Sequence, residues 1–218
     1  MTCKTESPPH RARNSVYDGD SPGGANAMAS AGMVGVGKRT VVFIDGANLY
    51  STAVTLGISI DFSRLSSFLK ETFDVRGLRY YSAVMDSAEF MPMRPLIDWV
   101  QYNGYTLISK PANEYIDRVT KMRRIKGNMD VEIACDMMMV APSIEHVILI
   151  SGDSDFAYAA AELQKRSVLV TAISTMHSAT PSIGDALRRQ VDSFIDIDII
   201  RDRIARPGRP VKFESAVR

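Results

Sequence analysis

The chain reads as an α/β protein built on a parallel sheet. Two observations carry this reading. Aliphatic runs alternate with helix-forming runs in the order βαβαβ, helix, βαβ. With right-handed crossovers, such alternation gives a mostly parallel sheet of five or six strands with helices on both faces. The runs Val41–Ile44 and Val147–Ile150 are also apolar at every position, as central strands covered on both faces require. With 218 residues the chain suits one such domain with tails, and its 45% apolar content supplies a core.

The formal net charge is +1, which excludes a uniformly basic nucleic-acid coat, so any nucleic-acid contact must be a local patch. The two cysteines, Cys3 and Cys135, fall in an expected tail and an expected helix. No structural disulfide is expected, and the setting is read as reducing and cytoplasmic. No stretch reaches the ~18 apolar residues of a membrane span, and the N-terminus has no secretory h-region.

Residues 1–37 are rich in Ser, Pro, Gly, Ala and Asn without a period, and read as a disordered tail. Within them Gly32–Lys38 has the spacing of a phosphate-binding loop. However, Arg39 stands where a Mg²⁺-binding Ser or Thr belongs, and the segment precedes a strand where it should follow one. The first strand, Arg39–Asp45, ends in Asp45-Gly-Ala-Asn48. An aspartate before glycine is ordinary turn chemistry, but a carboxylate ending a buried strand is costly without partners.

Asp61 caps an expected helix through Leu69, with Phe62, Leu65, Phe68 and Leu69 as its apolar stripe. Strands are expected at 77–85 and 104–108, with a loop at 86–92 and a helix at 95–102. Lys121, Arg123, Arg124 and Lys126 crowd the segment that leads into Asn128-Met-Asp130. The segment is either a solvated face or a flap that grips phosphates.

A helix is expected over 129–140, with Asp130 in its first turn. Asp136 lies six positions on, about 120° round the helix from Asp130, and so ranks as a supporting or surface acid. His146–Ile150 is a strand, Ser151-Gly-Asp-Ser-Asp-Phe156 a turn, and Ala157–Lys165 a helix. Asp153 and Asp155 thus sit where a parallel strand gives way to its helix, the edge at which open α/β sheets bind ligands. Helix capping is the plainer reading of that turn. A strand at 167–173, a polar loop holding His177, a helix at 183–190, an edge strand at 193–197 and a basic tail at 201–218 complete the chain. The lone His177 reads as solvated, and no His/Cys cluster suggests zinc.

If the chain reverses direction between its halves, the first strand and the 146–150 strand become neighbours at the switch point. Asp45, Asp130, Asp153 and Asp155 then converge. Like charges about 4 Å apart cost on the order of 4 kcal/mol per pair at an effective dielectric near 20, and a divalent metal offsets this. An oxygen-only donor set favours Mg²⁺ or Mn²⁺, with all four acids as candidate metal ligands. Such a centre supports in-line displacement at phosphorus.

At these residues the chain resembles the NYN domains, PIN-like nucleases close to the LabA-like group. The matching stretches are Phe43-Ile-Asp-Gly-Ala-Asn48, Lys126-Gly-Asn-Met-Asp-Val131 with Asp136, and Leu149-Ile-Ser-Gly-Asp-Ser-Asp-Phe156; Leu187–Ile195 resembles the closing segment of the family. The resemblance covers roughly residues 39–200, and a domain at 38–200 is expected. It implies a PIN-like three-layer αβα sandwich and metal-dependent hydrolysis of RNA, single-stranded or structured. It assigns acid roles to Asp45, Asp130, Asp153 and Asp155. Asn48, Ser151 and Asp136 are expected in support, with Lys121, Arg123, Arg124 and Lys126 on RNA phosphates. No membrane partner is expected, and a homodimer is compatible.

Two other readings are weighed. One is a catalytically weak NYN-domain RNA-binding or scaffold protein. The other is a phosphotransferase with Asp45 as nucleophile, which position 47, an alanine, disfavours.

Overall fold

The computed structural model describes residues 34–84, 94–116, 123–177 and 182–208. The expected tail up to residue 33, the 86–92 loop, Lys121 and residues 209–218 lie outside that description. The elements in chain order are β1 (Arg39–Asp45), α1 (Gly46–Thr55), α2 (Phe62–Thr72), β2 (Asp74–Val84), α3 (Arg94–Tyr102) and β3 (Tyr105–Pro111). They continue with β4 (Asn113–Ile116), β5 (Arg123–Lys126), α4 (Asp130–Val140), β6 (His146–Ile150), α5 (Phe156–Lys165) and β7 (Leu169–Ser174). The last are α6 (Asp185–Gln190), β8 (Ser193–Asp196) and α7 (Arg201–Ile204).

Six strands form one sheet in the order β3-β2-β1-β6-β7-β8, parallel throughout. The chain runs outward from β1 to β3 and then restarts at β6 on the other side of β1. That reversal is the expected switch point, and Thr40 pairs with His146 through Ile44 with Ile150. β6 is buried at all its positions. On one face, Phe43, Val147, Leu149, Val170 and Ala172 pack with Ile133 and Met137 of α4 and with Phe156, Ala160 and Leu163 of α5. The alternate residues Val42, Ile44 and Ile148, also buried, point to the opposite face by the two-residue period of a strand. α1 and α2 pack against β1 and β2.

The helices follow their caps and stripes. Asp61 accepts from the backbone N–H of Ser63 at 3.0 Å and of Arg64 at 3.2 Å, and α2 buries Leu65, Phe68 and Leu69. Helix α1 was not expected, because its Ser- and Thr-rich sequence has weak helix propensity. The Asp45 cap and burial of Leu49 and Ala53 hold it.

The basic segment forms the antiparallel hairpin β4–β5, with Asn113 opposite Lys126. Beyond residue 200 the chain was expected as a tail. Instead α7 packs on α2, and Ile200 and Ile204 are buried.

The phosphate-loop spacing near residue 35 has a packing explanation. Gly35 has φ +92°, and a Cβ there would lie 2.4 Å from the His146 ring, at the N-terminal edge of the sheet. His146 bonds Thr40 Oγ1 at 3.0 Å and Thr171 Oγ1 at 2.8 Å. Burial pushes its pKa down to about 4, so it is neutral.

Candidate metal centre

The acids gather at the opposite, C-terminal edge of the sheet, where three helices begin. Asp45 is the last residue of β1 and the N-cap of α1; its Oδ1 accepts from the Asn48 backbone N–H at 3.1 Å. The helix can start against β2 only because residue 46 is glycine. A Cβ there would meet the Tyr80 hydroxyl at 2.6 Å and the Tyr81 carbonyl oxygen at 2.7 Å. Tyr80, buried beside Asp45, has its pKa pushed up to about 12, first by burial and then by the Asp45 charge.

Ser151 joins β1 to β6 across the switch point. Its hydroxyl donates to Asp45 Oδ2 at 3.2 Å and accepts from the Asp153 N–H at 3.2 Å. The Asn48 side-chain oxygen accepts from the Gly152 N–H at 3.0 Å. Gly152 permits the turn, since a Cβ there would lie 1.9 Å from the Ser182 carbonyl oxygen. Asp153 Oδ1 accepts from the Asp155 N–H at 3.0 Å, a local turn bond of the kind aspartates make. Asp155 then caps α5 by position, without a side-chain cap bond.

Asp130 opens α4 from a third segment. Asn128 straddles it: its side-chain oxygen accepts from the Asp130 N–H at 2.7 Å, and its amide donates to Asp130 Oδ2. Sequence reasoning gave Asn128 no role at the site. An Asn two residues before a helix-opening acid is the signal that could have identified it.

One carboxylate oxygen from each of Asp130, Asp153 and Asp155 lies within 4.8 Å of the others. Asp45 stands outside that trio, turned into its cap and its Ser151 bond, yet close enough for its charge to act on Asp130. Asp136 is elsewhere: its Oδ2 accepts from the Tyr81 hydroxyl at 2.7 Å and pairs with Arg79 at 3.3 Å, consistent with its offset round the helix. Lys121 lies outside the described residues, as do the side chains of Arg123, Arg124 and Lys126. The backbone places those three on β5, just ahead of Asp130.

Burial raises the pKa of both Asp45 and Asp130. Hydrogen bonds from Asn48 and Ser151 oppose this at Asp45, and Asn128 opposes it at Asp130, while neighbouring carboxylates add to the rise at both. A helix N-terminus stabilises a carboxylate by about 0.3–1 kcal/mol. At 4.8 Å, each like-charge pair costs about 1 kcal/mol in water and about 3–4 kcal/mol at an effective dielectric near 20. At the lower dielectric the helix ends do not balance the repulsion, and a cation does. The trio offers oxygen donors alone, which suits a hard divalent ion.

The chain is an α/β protein with its acids at the switch point of a parallel sheet, and the comparisons give its family. Residues 39–198 match the NYN domain, so the chain belongs to the NYN domain family, within the nuclease superfamily whose PIN-like members usually use divalent metals. It is 28% identical over 182 residues to the low amplitude and bright protein LabA of Synechococcus elongatus, covering 82% of this chain and 94% of that one. This likeness marks it as LabA-like. In fold it is similar to a protein of unknown function from Vibrio parahaemolyticus, with a TM-score of 0.62 and 22% identity over 78% of this chain and 97% of the other. Among the described residues no helix is long and apolar enough to cross a membrane.

Proposed function

We propose that the protein is a Mg²⁺- or Mn²⁺-dependent endoribonuclease that hydrolyses RNA phosphodiester bonds. The observation that carries this reading is the trio of carboxylate oxygens within 4.8 Å, drawn from two separate segments of a nuclease-superfamily chain. Asp130, Asp153 and Asp155 would hold the metal. Bound there, a divalent ion supplies charge stabilisation at the phosphoryl oxygens and activates water. Asp45 lies at the back of the centre and orients Ser151, and through it the Asp153 turn; its carboxylate is also the candidate for a second ion. Asn48 holds Gly152 in place. Arg123, Arg124 and Lys126 lie on a hairpin leading into Asp130, and are proposed to meet substrate phosphates.

The test is incubation of the full chain with labelled single-stranded and structured RNA in Mn²⁺, Mg²⁺ or EDTA, beside Asp130→Asn and Asp153→Asn. Cleavage is expected with metal, lost in EDTA, and reduced in each variant by at least ~100-fold, the upper end of what losing an outer partner of a metal site costs. Cleavage that persists in both variants would sink the assignment. A second reading, an RNA-binding or scaffold module without useful turnover, draws on Asp45, which is committed to capping and stands outside the trio. Metal-dependent RNA retention without cleavage would favour it.

A further inference from the structure

His177, expected to be merely solvated, is held by a buried carboxylate. Asp196 ends β8, is 4% exposed, and accepts four hydrogen bonds. Oδ1 receives the Thr175 hydroxyl at 2.9 Å and the Asp198 N–H at 2.9 Å. Oδ2 receives the Met176 N–H at 3.0 Å and His177 Nδ1 at 2.9 Å. The His177 N–H in turn donates to Thr175 Oγ1 at 3.0 Å. With Nδ1 committed as a donor to Asp196, Nε2 is the ring nitrogen left to meet a ligand, and the side chain is 60% exposed.

The position relates to the acidic centre. Leu149 pairs with Ala172, and Ser174 with Asp196. Two residues further along, Ser151, Ser174 and Asp196 therefore stand level at the C-terminal edge. Two strand spacings separate β6 from β8, roughly 10 Å, or about three nucleotides of a stacked strand. The loop that carries His177 is also tied to the Asp153 turn. Ser182 and Ile183 N–H donate to the Thr175 carbonyl at 3.0 and 3.3 Å, and Gly184 N–H donates to the Gly152 carbonyl at 2.8 Å. A Cβ on Gly184 would lie 1.8 Å from Ser154 Oγ.

We propose that His177, oriented by Asp196, is a phosphate-binding residue that grips the substrate strand a few nucleotides from the acidic centre. The proposal rests on the nuclease reading for its substrate. Its physical sense is local: a carboxylate cluster repels a polynucleotide, and a fixed imidazole on the same edge, in its doubly protonated form, donates from Nε2 to a neighbouring phosphate oxygen.

The experiment measures affinity of the full chain for a fluorescein-labelled oligouridylate, in Ca²⁺ at about pH 5.5, where an imidazole is mostly protonated, over a series of KCl concentrations, for wild type, His177→Ala and His177→Arg. The alanine variant is expected to bind several-fold more weakly. Its slope of log affinity against log salt should be shallower by about 0.7, the value for one lost phosphate contact on a single strand. The arginine variant should restore both. An unchanged slope in His177→Ala, with or without loss of affinity, overturns the proposal, as does failure of arginine to restore binding at wild-type thermal stability. Wild type without any RNA affinity overturns this and the nuclease reading together, whereas an unaltered alanine variant of an RNA-binding wild type removes His177 alone.

Discussion

Asp130 and Asp45 carry raised pKa values because burial, and then neighbouring carboxylates, disfavour their charged forms. A carboxyl whose folded-state pKa is raised above the ordinary value of 3.8 contributes stability that is fully present below that value. The contribution is lost as pH rises through the folded-state value. Asp130→Asn removes one such charge and keeps an oxygen to accept from Asn128. In EDTA at neutral pH the variant should therefore melt above wild type, and at pH below 3.8 the gap should close. Added Mn²⁺ should raise wild type more than the variant. A variant that melts lower in EDTA at neutral pH would refute the repulsive cluster.

Gly152→Ala tests the turn itself. With Ser182 oxygen 1.9 Å from the new Cβ, the expected cost is on the order of 1–3 kcal/mol, as for overpacked sites, read from the midpoint of urea unfolding. At this scale the acids were legible, because Asp-x-Asp after a buried strand and an acid opening a helix are local patterns. The pairing of Asn128 with Asp130, and of Asp136 with Tyr81 and Arg79, depends on side-chain geometry that spacing does not encode.

Elements with a clean period were legible and the rest were not. β1 and β6 are built on the uninterrupted apolar runs Val41–Ile44 and Val147–Ile150, and α2 has both a cap and a stripe. α1 lacks a strong propensity and exists through its cap and two buried side chains. The β4–β5 hairpin hides in a basic run with no apolar alternation, and α7 is a short helix kept by Ile200 and Ile204. The cap of α2 is a clean test of element energetics. Asp61→Ala removes acceptors for two backbone N–H groups and should cost about 1 kcal/mol, or about 2–4 °C in a chain of this size. Thermal melting checks it, with the Mn²⁺-induced shift unchanged because Asp61 bonds only the N–H groups of its own helix. A loss of metal affinity with it would show that α2 braces the site.

At the scale of the whole molecule, the centre depends on the sheet. Its parts come from β1, the β6–α5 turn and α4, all packed on one parallel sheet, so melting should be a single transition monitored equally by fluorescence and circular dichroism. An ion that binds only the folded state stabilises it by mass action, ~2.7 kcal/mol at a hundred times its dissociation constant. For this size the shift is about 5–10 °C. Mn²⁺ that leaves the melting temperature of the wild type unmoved would speak against binding at the trio. The switch point was legible from the order of elements alone, since right-handed crossovers leave few ways to arrange them.

The bond between Ser151 and Asp45 spans 106 residues, and this sets a schedule. Synthesis at roughly 5–20 residues per second leaves on the order of 5–20 seconds in which Asp45 has been made and its partner has not. During that interval no emerging fragment can assemble the acidic centre. A chain truncated by premature termination anywhere before Asp155 lacks a member of the acidic trio, and the centre is complete only once the ribosome has moved past the last of the acids.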